Sequence, residues 1–130
     1  MKYILIASCV FLFSCKKADP NNNDTCSSII NSGILAVTSS SLTAAVNQDI
    51  NFEVSYSIAN GCAISSNMEI IKDANTVTVN MLTKFEGCVC TQIYSEGKKT
   101  YIFKSAVAGN FKLKFSKGDN TFIEKNVVIQ

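Results

Sequence analysis

Ile50-Asn51-Phe52-Glu53-Val54-Ser55-Tyr56-Ser57-Ile58 alternates apolar and polar side chains without a break. Successive side chains of a β-strand point to opposite faces, so this stretch predicts a strand with one face on a core and the other in water. The same period recurs on both sides of it. Val77, Val79 and Met81 alternate with Thr76, Thr78 and Asn80. Tyr101 and Phe103 alternate with Thr100, Ile102 and Lys104, and Phe111, Leu113 and Phe115 with Lys112 and Lys114. Residues 122–129 read as a last strand, and residues 35–38 and 68–71 as shorter ones. Turn signals fall between them at Asn60-Gly61, Asp73-Ala74-Asn75, Glu96-Gly97, Gly109-Asn110 and Lys117-Gly118-Asp119-Asn120. No stretch carries a helical stripe, and no internal repeat is present. The expected fold is all-β: an antiparallel β-sandwich of seven to eight strands over residues 26–130.

Composition narrows the function. The chain has 130 residues, enough for one domain. Apolar residues make up 47 %, charged residues 17 %, and proline occurs once, so a packed core is expected rather than disorder. A net charge of +2 is too small for a nucleic-acid binder to depend on. Histidine, tryptophan and arginine are absent; all the cations are lysines. That removes imidazole catalysis, histidine metal sites and bidentate arginine clamps together. Serines and threonines abound with no imidazole to activate them. Asp49 and Glu53 share the solvated side of one strand, and no glycine-rich phosphate loop is present. We therefore expect no enzyme and no cofactor.

The N-terminus has another character. Met1-Lys2 is followed by an almost wholly apolar run to Phe13, whose length as a helix is about 16 Å against about 30 Å of hydrocarbon. It is too short to span and has the form of an export signal. The run ends in Leu12-Phe13-Ser14-Cys15, which resembles the lipobox of bacterial lipoproteins. The resemblance implies removal of residues 1–14 and acylation of Cys15; residues 16–25, without a large apolar residue and with Pro20 and Asn21-Asn22-Asn23, read as a flexible tether, so residues 15–25 are expected to be lipidated cysteine and tether. Lys16, where an aspartate would favour retention at the inner membrane, implies an outer-membrane address. Two or three acyl chains, at about 0.8 kcal/mol per buried methylene, anchor a small domain lastingly. The alternatives are an ordinary signal peptide, or a buried strand with an incidental Cys15. Expected partners are the membrane, through the anchor, and an envelope protein or glycan.

Tyr101-Ile102-Phe103, then Val107 and Ala108-Gly109-Asn110-Phe111-Lys112-Leu113, resembles the corner between the fifth and sixth strands of immunoglobulin-like domains. Phe111 replaces the corner tyrosine, Leu113 stands at the second core cysteine, and the core tryptophan is missing. The resemblance implies an immunoglobulin-like sandwich used as a binding or structural module. A second reading is an inhibitor of exported cysteine proteases of the chagasin type. Its Asn-Pro-Thr-Thr-Gly loop has no counterpart, because the single proline is Pro20 in the tether.

Setting aside Cys9 and Cys15 leaves Cys26, Cys62, Cys88 and Cys90. An even number of cysteines in an exported domain predicts disulfides. On a strand, Cys88 and Cys90 would leave the same face, and a bond between them would be strained. One is expected to take Cys62 and the other Cys26. The alternative is a soft-metal site for Cu(I) or Zn(II) at Cys62, Cys88 and Cys90. Charge is also uneven: residues 18–97 hold two lysines and eight acids, a net −6, and residues 98–130 hold seven lysines and two acids, a net +5. Lys112 and Lys114 share one outward face, with Lys104 placed beside them. Such a basic face either steers an acidic partner or keeps the sheet soluble and unpaired.

Overall fold

The alternation at residues 50–58 becomes the central strand of a three-stranded sheet. In the computed structural model residues 26–130 are described; the expected signal segment 1–14 and the expected lipidated cysteine and tether, 15–25, lie outside the described residues. The strands are β1 (Ser27–Ser32), β2 (Ile34–Ser39), β3 (Thr43–Ala44), β4 (Ile50–Ile58), β5 (Ala63–Asp73), β6 (Thr76–Glu86), β7 (Ser95–Phe103), β8 (Gly109–Ser116) and β9 (Phe122–Ile129). β2, β4 and β7 form one antiparallel sheet. The other has six strands. β5 runs along one edge of β6, while β8 pairs with Thr76–Val79 on its opposite edge and β1 with Met81–Glu86. β9 and β3 continue from β8.

The inner faces follow from period two. Ile50, Phe52, Val54 and Tyr56 of β4 are buried, as are Val77, Val79 and Met81 of β6, Leu113 and Phe115 of β8, and Val127 and Ile129 of β9. Phe52 meets Phe115 across the sheets at 5.7 Å between ring centroids, and Tyr101 meets Phe115 edge-on at 6.0 Å. Such ring pairs add about 0.5–1.5 kcal/mol each beyond the area they bury. Polar groups inside are satisfied: the buried Ser32 hydroxyl donates to Thr83 Oγ1 at 2.7 Å, and Ser66 Oγ lies 2.9 Å from the same oxygen.

The sandwich has nine strands rather than seven or eight, and it is not wholly antiparallel. β6 pairs with β8 in parallel, and β3 with β9. The reason is connectivity: β6 and β8 are joined through β7 in the opposite sheet, so β8 re-enters at the end where β6 began, as parallel neighbours require. This pairing departs from the all-antiparallel sheets of immunoglobulin-like domains. At the expected corner the chain passes from β7 to β8 and changes sheets. Leu113 is fully buried there, and Phe111 is half-buried against Phe103 at 5.3 Å.

Two expected turns lie in strands. Gly109-Asn110 opens β8, opposite Ile129 and Val128. Glu96-Gly97 lies within β7, where Gly97 is paired with Tyr56. A Cβ on Gly97 would stand 2.3 Å from the Tyr56 ring. Glycine is there so that the ring can lie across the backbone.

Two predictions follow from this core. Phe115→Ala is expected to cost about 3–5 kcal/mol of unfolding free energy, and Lys112→Ala less than about 0.5, by urea denaturation. Burial pushes the Tyr101 phenol above its ordinary value. The unfolded chain therefore loses this proton first, near about pH 10. The contribution is complete below that pH and is lost as pH rises through the folded value. Tyr101→Phe is expected to weaken the fall in urea midpoint above pH 10, measured against the same variant at neutral pH.

Candidate functional site

The sandwich has two dissimilar ends. At one, Cys26 bonds to Cys88 and Cys62 to Cys90, with Cα separations of 4.9 and 5.4 Å. Both pairs join the loop between β6 and β7 to neighbouring segments. Cys88-Val89-Cys90 is in this loop and not on a strand, so the argument from a shared strand face does not apply; the loop sends the two sulfurs to different partners. Hydrogen bonds reinforce the clamp. Gly87 N donates to Cys26 O at 2.8 Å, Glu86 N to Cys62 O at 3.0 Å, and Gly61 N to Thr91 O at 2.9 Å. Gly87 has φ of 140°, and a Cβ on it would stand 2.7 Å from Cys62 Sγ, so the position requires glycine twice over. Bonded to one another, these sulfurs are not thiolate ligands, which removes the metal reading of Cys62, Cys88 and Cys90. Closing 62 and 28 residues of chain corresponds in the chain-entropy picture to about 4 and about 3.5 kcal/mol.

The lysines do not form one basic face. Lys104 follows β7 in the three-stranded sheet and pairs with Asp49 at 2.8 Å. Lys112 and Lys114 are on β8 in the six-stranded sheet. Lys112 Nζ is 3.5 Å from Glu124, and Lys114 Nζ lies 4.2 Å over the Phe122 ring. Lys98 reaches Glu53 at 3.2 Å. The pairing of β4 with β7 thus places the basic half of the sequence against the acidic half. These exposed pairs contribute about 0–1 kcal/mol each, and Lys98–Glu53 and Lys104–Asp49 weaken the one-signed field that the charge tally suggested.

At the other end, a shallow depression of about 410 Å³ is lined by Asn75, Thr76, Asn110, Phe111, Lys112 and Asn126. Asn75 is in the turn between β5 and β6, and Asn110 opens β8. Register puts Asn126 directly beside Lys112, with Thr76 on its other side. Lys112 N donates to Asn75 O at 2.8 Å, which fixes the turn against β8. Three carboxamides offer donors and acceptors together, beside one ammonium and the edge of an aromatic ring. The Lys112 ammonium is already paired with Glu124, so the depression presents hydrogen-bonding groups with little net charge. Sequence reading identified two of these asparagines as turn residues only; which strand neighbours β8 was the missing information. Asp119 is not part of this depression. Its carboxylate accepts hydrogen bonds from the Thr121 hydroxyl and amide, which hold its pKa below the ordinary value within the turn before β9.

From within β4 to the end of β9, residues 52–129 match the ORF11 beta-sandwich domain. The chain belongs to that family. The stretch of this ORF11 β-sandwich that matches includes Cys62, Cys88, Cys90 and every residue of the depression, while β1, β2, β3 and Cys26 precede it. No curated protein and no solved structure matches the chain.

Non-reducing mass spectrometry of protein recovered from an oxidising compartment is expected to find Cys26–Cys88 and Cys62–Cys90 and no free thiol at these positions. Replacing Cys62 and Cys90 together by serine should lower stability by about 2–4 kcal/mol in urea titrations.

Proposed function

We propose that this ORF11 β-sandwich is a non-enzymatic, lipid-anchored module of the bacterial outer membrane that binds a polar ligand at the end remote from its anchor. The observation that carries this reading is polarity. The chain enters the sandwich at Cys26, beside the last residues of β6, whereas the asparagine-lined depression sits beside Thr76, where β6 begins. Those points are about 30 Å apart along the strand. An anchor at Cys15 therefore joins the sandwich at the end opposite the depression. The disulfide pairs fit an oxidising compartment, and Leu12-Phe13-Ser14-Cys15 supplies the acylation signal. The proposed ligand is a glycan or a carboxamide- and hydroxyl-rich surface of another envelope protein, because the depression is built of asparagines around a single lysine.

Expression in a Gram-negative host should give membrane-bound protein that incorporates labelled palmitate, and Cys15→Ser should abolish both. Soluble, unlabelled wild-type protein would refute the anchor. For the ligand, a double Asn110→Ala, Asn126→Ala variant should lose retention on immobilised envelope glycans while keeping the urea midpoint of the wild type. Nanomolar inhibition of papain by the wild type would instead favour the protease-inhibitor reading.

A further inference from the structure

The disulfide end carries apolar side chains that the sandwich does not use. Val89 is 95 % exposed, and Ile93 and Tyr94 are 61 % exposed each. All three belong to the loop between β6 and β7, which is held by both disulfides and by the Gly61–Thr91 hydrogen bond. The connections 59–62 and 87–94 at this end contain no charged residue; the nearest are Glu86, paired with Lys84, and Glu96. The opposite end has Asp49, Asp73 and Lys104 in its turns. Charged groups resist approach to hydrocarbon, whereas valine, isoleucine and an amphipathic tyrosine are suited to the boundary of a bilayer.

Chain length states which surface this end meets. Cys26 is bonded to Cys88, and Val89 is the next residue. Between Cys15 and Cys26 the chain can extend at most about 40 Å. The far end of the sandwich stands a further 30 Å or so beyond. We propose that the loop of residues 87–94 docks on the phospholipid surface, with Val89, Ile93 and Tyr94 inserted at headgroup level. This rests on the anchor proposed above. Docking of three side chains would not hold a free domain on a bilayer. A short tether keeps the loop at high local concentration beside the surface, so a weak contact is populated. The sandwich then stands upright, and the asparagine depression points outward.

The chain has no tryptophan, so one introduced indole reports its own surroundings. Full-length protein, acylated in a Gram-negative host, would be reconstituted into vesicles of phosphatidylethanolamine and phosphatidylglycerol. In the Val89→Trp variant the emission should shift to the blue and lose roughly half its intensity when the acyl chains are brominated, as for an indole at the interface. Tyr94→Trp should respond alike. Val107→Trp, exposed at the opposite end, should keep water-like emission and no quenching. Palmitate-labelled protein that floats with the vesicles while the indoles of Val89→Trp and Tyr94→Trp stay water-like would overturn the docking and leave the anchor standing. Equal quenching of Val107→Trp would also overturn it, since the domain would then have no preferred orientation. Unlabelled protein that does not float would overturn both proposals.

Discussion

The packing of Phe52 against Phe115 joins two sheets that could not exist separately. The three-stranded sheet has one apolar face, and β6, β8 and β9 provide the other. Each alone would expose that face to water, at a cost near 25 cal/mol for every Å². Once joined, all inward positions are spoken for. Most strand-borne lysines, glutamates and asparagines face out, while Lys99 and Lys125, in register with Val54 and Leu113, lie on the inward side of their strands. What the protein can offer a partner is therefore confined to outer faces and to the loops at the two ends.

The ends differ because the chain treats them differently. Where β6 hands over to β7, the connection is long enough to need two covalent ties, and it is devoid of charge. Where β5 turns into β6, a two-residue turn suffices, and Ala74 takes the left-handed conformation at φ 48°. This tight turn brings Asn75 close enough for its carbonyl to accept from Lys112, and so creates one wall of the depression. The polarity of the molecule thus comes from loop length and turn chemistry, on a sandwich whose interior is alike throughout.

Much of this was legible in the sequence wherever one strand face is buried and the other wet. β4, β6 and β8 were recognisable for that reason, down to which residues point inward. β1 was not: Ser27-Ser28-Ile29-Ile30-Asn31-Ser32 lies along part of β6 with only Ser32 buried, so no alternation marks it. β3 is two residues long and carries no periodic signal. Spacing reduced the cysteine pairings but could not choose between Cys88 and Cys90, because in a loop the direction of each sulfur is set by tertiary contacts. The grouping of Lys104 with Lys112 and Lys114 failed on the same ground. Strand order within a sheet is not a local property, and the parallel pairing of β6 with β8 has no local signature.

The partnership of β3 with β9 bears on how a growing chain acquires this structure. Thr43 and Ala44 pair only with Val128 and Ile129, and β8 has β9 along its whole length. Until β9 has docked, Phe111 and Phe115 lack Val127 and Ile123 opposite them, and one flank of β8 is an open edge. Such an edge can capture a strand from another molecule. Pairings this distant in sequence are also slow to form. A chain in which the final strand has not docked is therefore the aggregation-prone species, and docking of β9 is the event that ends the hazard.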